Sequence, residues 1–414
     1  MNDALAAQAS KDLQQAERIY REVVAMAPDV PDALHMLGVL RFEQGDCKEA
    51  AELILRALDL TGWRFSTFRY NLGLVIARAH AEQAQRDRDS AIRRFRMSGG
   101  QASTTNGARP AVAVVVPCYN HARFVERAIE SVFSQTYRQI EVVVVDDGST
   151  DGSTEIARRK LADSPFPCRF VARENRGATA TINEAISLSS APFVNILNSD
   201  DWFSDDRIAL MVEHVAASGA QWGFSETAYV DDRDRPIDPR TDKRAGTLSA
   251  VAGAASGRAT VGFSFLGGNA AISSGNLFFS RDLFQRIGPF GSLRYNHDWE
   301  FALRAVRAAE PKFIPAPTYC YRLHDSNTIS GAISDGGMRE ANGMLTEFFR
   351  WASSEQAAAN PLAPTMRTWG MYFVCSCLNN GWAGLFDAEE LRRLASEIAV
   401  CGADGDLRAV DHRT

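Results

Sequence analysis

Two adjacent carboxylates, Asp200 and Asp201, end the stretch Phe193-Val194-Asn195-Ile196-Leu197-Asn198-Ser199-Asp200-Asp201. The apolar residues Phe193, Val194, Ile196 and Leu197 read as a short strand covered on both faces. The acids come where that strand should stop. In open α/β sheets ligands bind just beyond the carboxyl ends of the strands. Paired hard oxygens at such a point suit Mg²⁺ or Mn²⁺ and, through the ion, a diphosphate. The alternative is a helix start: Ser204 to Val215 has an amphipathic pattern, and Asp200, Asp201 or Ser204 could cap it.

Other turn clusters follow apolar, β-branched runs in the same way. Ala111 to Val116 leads into Pro117-Cys118-Tyr119-Asn120, and Glu141 to Val145 leads into Asp146-Asp147-Gly148-Ser149-Thr150-Asp151. Phe124, Ala128, Ile129, Val132 and Phe133 between them share a helical face. A strand near Phe170-Val171 and a helix from Ala178 to Leu188 come next. This βαβα order predicts an α/β fold: a mostly parallel sheet with helices on both faces and right-handed crossovers. The turns after Val116, Val145 and Leu197 then share one rim of the sheet, which marks that rim as a site. No Gly-x-Gly-x-x-Gly follows the first strand, which argues against a nicotinamide or flavin. Asp146 and Asp147 also have a plainer reading, since Asp-Gly followed by Ser and Thr makes a turn and a helix cap.

At these residues the chain resembles glycosyltransferase family 2, the inverting nucleotide-sugar transferases of the GT-A fold. The resemblance rests on Val114 to Asn120, Val144 to Asp151, Glu174-Asn175-Arg176-Gly177 with Asn183, and Asn198-Ser199-Asp200-Asp201, and runs from about Ala111 to Ser330. It implies a metal-dependent transfer of sugar from a nucleotide-diphospho-sugar, a UDP-sugar favoured, to a hydroxyl acceptor on a glycan, lipid-linked glycan or protein. Pro117, Tyr119, Asp146, Asp147, Arg176, Asn183, Asn198 and Ser199 are then expected at the donor. Tyr119 offers a flat face to a base, and Asp147 could accept from a uracil-type N–H. Arg176 could reach the diphosphate or be an ordinary solvated arginine. The family's Asp-x-Asp falls on Asn198-Ser199-Asp200, so the first acid is an amide here. Asp200 and Asp201 are expected to hold Mn²⁺ or Mg²⁺, with His324 of Tyr321-Arg322-Leu323-His324 as a further ligand or diphosphate donor.

The same resemblance makes Asp298, in Asn296-His297-Asp298-Trp299-Glu300, the catalytic base. A hydroxyl must lose its proton while attacking the anomeric carbon from the face opposite the leaving group, and one carboxylate suffices. A helix N-cap at Asn296 or Asp298 is the competing reading. The polar, Ala/Gly-rich stretch from Asp231 to Thr260 reads as a long loop over the acceptor side.

Upstream, Ala50, Ile54 and Ala57 recur as Ala16, Tyr20 and Val23 one period of about 34 residues earlier, and Leu37-Gly38 recurs as Leu72-Gly73. This resembles tetratricopeptide repeats and implies a groove for a protein partner or self-association. The expected division is a repeat domain over 1–95, a Ser/Gly-rich linker over 96–109, a GT-A domain over 110–333 and a helical C-terminal extension over 334–414.

The net charge of -6 makes nucleic acid an improbable partner class. Seven scattered cysteines without a Cys-x-x-Cys pair fit reduced, buried thiols rather than a disulfide framework. The start Met1-Asn2-Asp3 shows no signal peptide, and no apolar run is long enough for a bilayer. A cytoplasmic protein, at most peripheral at the inner face of the membrane, is expected. Two rivals remain. A nucleotidyltransferase would want a Gly-rich phosphate loop after the first strand, which is absent. A catalytically weak GT-A scaffold, working through its repeats, is suggested by Asn198.

Overall fold

Two aspartates one period of about 34 residues apart start two helices of the same kind. Asp12 accepts from the Gln15 N–H ahead of α2 (Leu13–Met26), and Asp46 accepts from Glu49 N–H ahead of α4 (Cys47–Leu60). They belong to a run that opens with α1 (Asn2–Ala9) and also contains α3 (Pro31–Glu43), α5 (Ser66–Ala79) and α6 (Ala81–Met97). This is the arrangement in a computed structural model, which describes residues 2–10, 12–97, 109–253, 255, 257–324, 327 and 335–401. Gly38 sits where α3 crosses α4: a Cβ there would lie 2.7 Å from Ile54 Cγ1 and 3.1 Å from the Ala50 carbonyl. Small residues are what let these helices close up.

By its internal contacts the chain forms two units, residues up to Arg93 together with those from Thr365 on, and Arg94–Pro364. The helical stretch after 334 is thus shared between them. The helix Asp335–Ala352 lies in the second unit, while Met371–Asn379 and Ala388–Cys401 fold back onto the repeats. Gly73 of α5 leaves room for Leu378 and Ala383, and the His80 ring is 3.0 Å from the Leu394 carbonyl. Most of the expected linker over 96–109 lies outside the described residues.

In the second unit, the valine-rich runs become central strands. β1 (Val112–Cys118) pairs in parallel with β2 (Ile140–Asp146) and with β4 (Phe193–Ile196), and β2 pairs with β3 (Cys168–Ala172). Val112, Val114, Val116, Val142 and Val144 form one buried cluster with α7 (Val125–Phe133) and α8 (Ser153–Ala162). Ala113, Val115, Val143 and Val145 are buried as well, and α9 (Ala178–Ser187) packs on β1 and β2. Both faces are covered, as a parallel sheet requires.

The full sheet has eight strands in the order β3-β2-β1-β4-β7-β6-β8-β5, where β5 is Trp202–Phe203, β6 Trp222–Val230, β7 Phe278–Ser280 and β8 Lys312–Arg322. It is mixed: β7 is antiparallel to β4 and β6, β5 is antiparallel to β8, and β6 and β8 are parallel. Under this junction lies Arg207, which opens α10 (Arg207–Met211). It is fully buried and donates to Asn195, Ser225, Thr318 and the Asn276 carbonyl, tying β4, β6 and β8 to the turn before β7. Burial pushes its pKa down to about 9. The stretch expected as one long loop after Asp231 contains α11 (Lys243–Gly253), whose Ala245, Leu248 and Ala252 are buried. Ala, Leu and Val at helical spacing outweighed the glycines there. α12 (Arg281–Ile287) and α13 (His297–Ala308) complete the elements that frame the site.

Candidate active site

The ends of β1 and β2 are laced together before any functional group is placed. Asn120 Oδ1 accepts from the Thr150 N–H at 2.9 Å, and Asn120 N–H donates to Ser149 Oγ at 2.9 Å. His121 N–H donates to Ser153 Oγ and Ala122 N–H to Asp151, each at 2.9 Å. Pro117 and Cys118 end β1 opposite Val145 and Asp146. Beyond them the Tyr119 ring stands 47% exposed on the rim, an unusual position for a large aromatic. Asp146 is buried and serves the turn, accepting from Ser149 N–H and Thr154 Oγ1 at 3.0 Å each.

Asp147 is also buried, and it anchors a loop. It pairs with Arg173 and accepts from the N–H groups of Arg176 at 2.8 Å and Gly177 at 2.9 Å. The Arg176 side chain stays exposed on that loop. Asn183 is used elsewhere: its amide exchanges two hydrogen bonds of 2.9 Å with the backbone of Phe290. The polar atoms of Asn183 are thus engaged by the Phe290 backbone, and those of Asp147 by the loop it anchors.

At the end of β4 the two acids part company. Asp200 Oδ2 lies 3.1 Å from His324 Nε2 and 3.8 Å from His121 Nε2. One ligand atom from each of His121, Asp200 and His324 fits within 4.8 Å of the others. Asp201 is outside this group. It is 1% exposed, bonded to the Tyr319 hydroxyl, and accepts from Arg322 N–H at 2.9 Å. Gly275 makes the tyrosine's approach possible, because a Cβ there would lie 2.8 Å from Tyr319 Cζ. α10 starts only at Arg207, so neither acid caps it.

The electrostatics follow the geometry. Burial pushes Asp200 up, but the His324 hydrogen bond and the charges of both histidines outweigh it and hold the carboxyl below its usual range. Burial, then the neighbouring Asp200 charge, push Asp201 well above that range. The pair thus divides into an acid with a lowered pKa beside the histidines and one with a raised pKa beside Tyr319. Asn198 is fixed by Ser273 Oγ at 2.7 Å and Ser274 Oγ at 3.1 Å. Ser199 Oγ lies 2.8 Å from His121 Nδ1.

His324 is held by its own turn: its N–H donates to Asn327 Oδ1, and Asn327 Nδ2 donates to the Arg322 carbonyl at 3.0 Å. Arg322 is buried, donates to the Asp200 carbonyl at 2.7 Å and stacks over Phe124. Arg244 of α11 donates to the His324 carbonyl at 3.2 Å. The rest of the late motif, Asp325, Ser326 and Thr328, lies outside the described residues.

Asp298 occupies the second position of α13 and accepts from the Trp299 N–H at 2.8 Å. Asn296 makes no side-chain cap; Glu340 instead takes the N–H groups of Arg294, Tyr295 and Asn296. Burial raises the Asp298 pKa, partly offset by His297. Burial first, then the Asp201, Asp200 and Asp298 carboxyls, push the pKa of the Tyr321 phenol up. Glu300 is engaged by Arg304.

Sequence reasoning missed His121, although it lies two residues beyond Tyr119 in the same strand-end turn. Arg173 and Tyr319 were also missed, and Arg322 was noted only within the late motif without a role, since their roles depend on contacts far along the chain.

Residues 113–288 match the family model for glycosyl transferase family 2, and residues 7–61 match a tetratricopeptide repeat. The glycosyltransferase GlyA of Streptococcus pneumoniae is 34% identical over 122 residues, 28% of this chain and 17% of that protein. An uncharacterized glycosyltransferase of Rickettsia typhi is 26% identical over 233 residues, 54% of this chain and 68% of its own. The chondroitin synthase of Escherichia coli is 33% identical over 104 residues, 25% of this chain and 15% of the synthase. Most of these relatives are thus matched over a minor part of their length. A mannosyltransferase of Pyrobaculum calidifontis, solved in complex with GDP-Man and Mn²⁺, superimposes with a TM-score of 0.47 at 20% identity, covering 81% of this chain and 88% of that one. Residues 113–288 form a domain of glycosyl transferase family 2, and residues 7–61 are of the tetratricopeptide repeat type.

Proposed function

We propose that the chain is a metal-dependent, inverting glycosyltransferase that moves a sugar from a nucleotide-diphospho-sugar, a UDP-sugar favoured, to a hydroxyl acceptor. The observation that carries this reading is the cluster of Asp200 with His121 and His324, on the same rim as an exposed Tyr119, within a family 2 domain. The donor set fits a divalent ion, held by Asp200 and His324, which when bound would offset the diphosphate charge.

The chain's own groups divide the remaining work. Tyr119 offers its ring to the base. Arg176 reaches from its loop toward the diphosphate, a role Asp147 supports by fixing that loop. Asp298 takes the acceptor's proton as its oxygen bonds to the anomeric carbon. The bond from that carbon to the diphosphate oxygen breaks on the opposite face, and the nucleoside diphosphate leaves. Asp298 suits this role because its raised pKa makes it a stronger base than an exposed carboxylate. Glu300, tied to Arg304, is less suited.

The acceptor is a glycan, a lipid-linked glycan or a protein, in surface polysaccharide or glycoconjugate synthesis or protein glycosylation. The repeats recruit a protein partner or a second copy and do no chemistry. No helix among the described residues is long and apolar enough to cross a membrane. Release of nucleoside diphosphate from a panel of nucleotide-sugars, with and without Mn²⁺, tests the reading. Failure of every donor to bind by calorimetry would contradict it.

A further inference from the structure

The amide at Asn198 leaves the family's Asp-x-Asp position one charge short, and the structure shows that Asn198 does not compensate from where it is. Its Nδ2 donates to Ser273 Oγ at 2.7 Å and lies 3.4 Å from Asp201 Oδ2, and its Oδ1 accepts from Ser274 Oγ. The amide is built into the strand-end turns. Asp201 is no substitute, since it faces Tyr319 and the Arg322 N–H.

His121 comes in from a different strand end. Its backbone is pinned by Ser153, and its ring stands edge-on to His324 with centroids 6.1 Å apart. Its Nδ1 lies 2.8 Å from Ser199 Oγ. In the tautomer that donates Nδ1–H to that hydroxyl, Nε2 turns its lone pair toward Asp200. A hydrogen bond from the far ring nitrogen is how proteins orient imidazole ligands. Donors about 2.1 Å from one ion stand roughly 3 to 4 Å apart. The Nε2 atoms of His324 and His121 are 3.1 and 3.8 Å from Asp200 Oδ2, which meets that spacing.

We propose that His121 is the third protein ligand of the divalent ion, replacing the missing acid at Asn198, with Ser199 as its positioning residue. A set of two imidazoles and one carboxylate favours Mn²⁺, Co²⁺ and Zn²⁺ over Mg²⁺, which prefers oxygen donors alone. The inference rests on the proposed donor site for the ion's role, but not for its capture.

The test uses the full chain and metal alone, without nucleotide. Free Mn²⁺ is followed by its electron paramagnetic resonance signal, and Co²⁺ by its visible ligand-field spectrum. The wild type should bind both more tightly than Mg²⁺. His121→Ala should weaken Mn²⁺ and Co²⁺ binding at least 10-fold, on the order of what losing even an outer-shell partner costs. It should also change the Co²⁺ spectrum. His121→Asp, which puts a carboxylate back, should recover binding with the preference moved toward Mg²⁺. Unchanged Mn²⁺ affinity and Co²⁺ spectrum in folded His121→Ala would overturn the assignment, leaving the donor reading intact. A wild type that holds Co²⁺ through His121 but binds no nucleoside diphosphate with metal present would uphold it, and the donor reading would fall instead.

Discussion

His324 Nε2 lies 3.1 Å from Asp200 Oδ2, and this contact separates two adjacent acids that the sequence presents as equivalent. The pKa of Asp200 is held below the usual carboxylate range, while Asp201, which accepts from Tyr319 and the Arg322 N–H, faces away from the histidines and is pushed above it. Only one of the pair is therefore equipped to meet a cation. Asp200→Ala should abolish metal-stimulated nucleotide binding with the fold intact. Asp201→Asn, which keeps the shape of a side chain outside the group of His121, Asp200 and His324, should leave metal affinity within about 3-fold, well inside the roughly 10-fold cost of a lost ligand or its support. Calorimetric titration with Mn²⁺ compares the two; equal losses would make both acids ligands.

Asp147 should matter to stability more than its family position suggests. It is buried against Arg173 and accepts from the N–H groups of Arg176 and Gly177. Removing one partner of a buried ion pair costs about 3 to 5 kcal/mol. Asp147→Ala should lose stability on that scale in denaturant unfolding. An unchanged unfolding midpoint with weakened nucleotide binding would instead return Asp147 to direct contact with the base.

Much of this was legible because it is local. The strand runs that end at Cys118, Asp146 and Ile196, and the convergence of their turns, follow from short patterns of valine, proline, glycine and aspartate. What distinguishes Asp200 from Asp201 is not local. It depends on Tyr319 and Arg322 of β8 and His324 of the turn after it, more than a hundred residues away, in a register that only the folded sheet defines. The same is true of Asn183, whose clamp on Phe290 has no signature of its own. His121 carries no periodic or motif signal, and its value appears only when β1 and β4 lie side by side.

Glu310 gives the second unit a pH-dependent stability. It is half-buried, accepts from the Gly262 N–H and Asn360 Nδ2, and the loss of solvent around it raises its pKa to about 7 from an ordinary 4.5. Between those values the folded state holds a proton that the unfolded state has released. Its contribution is complete below the lower value and is lost as pH rises through about 7. The loss is on the order of 3 kcal/mol. Stability should therefore decline from pH 5 toward pH 8 more steeply than in Glu310→Gln. Parallel slopes for the two proteins would contradict the assignment.

The helices Met371–Asn379 and Ala388–Cys401 pack on α4 and α5, so the repeats cannot be removed alone without cost. A fragment of residues 109–414 should expose Phe373, Val374 and Leu378, now buried, and should aggregate or bind a hydrophobic dye. A fragment of residues 109–364 should avoid this and retain donor binding. Equal solubility and dye binding would show that the repeats and the C-terminal helices are not one folding unit.

The account as a whole depends on Asp298 as the base of an inverting displacement. The most direct measurement is turnover and donor affinity on one preparation of Asp298→Asn. Asparagine keeps the shape and the acceptor for the Trp299 N–H, so the fold and donor affinity should persist. The proton acceptor is gone, and turnover should fall by about 10² to 10⁴. In the wild type, turnover should also fail on the acid side above the ordinary carboxylate range, because the base must be ionised and its pKa is raised. Near-wild-type turnover in Asp298→Asn, with that acid limb unchanged, would contradict the mechanism.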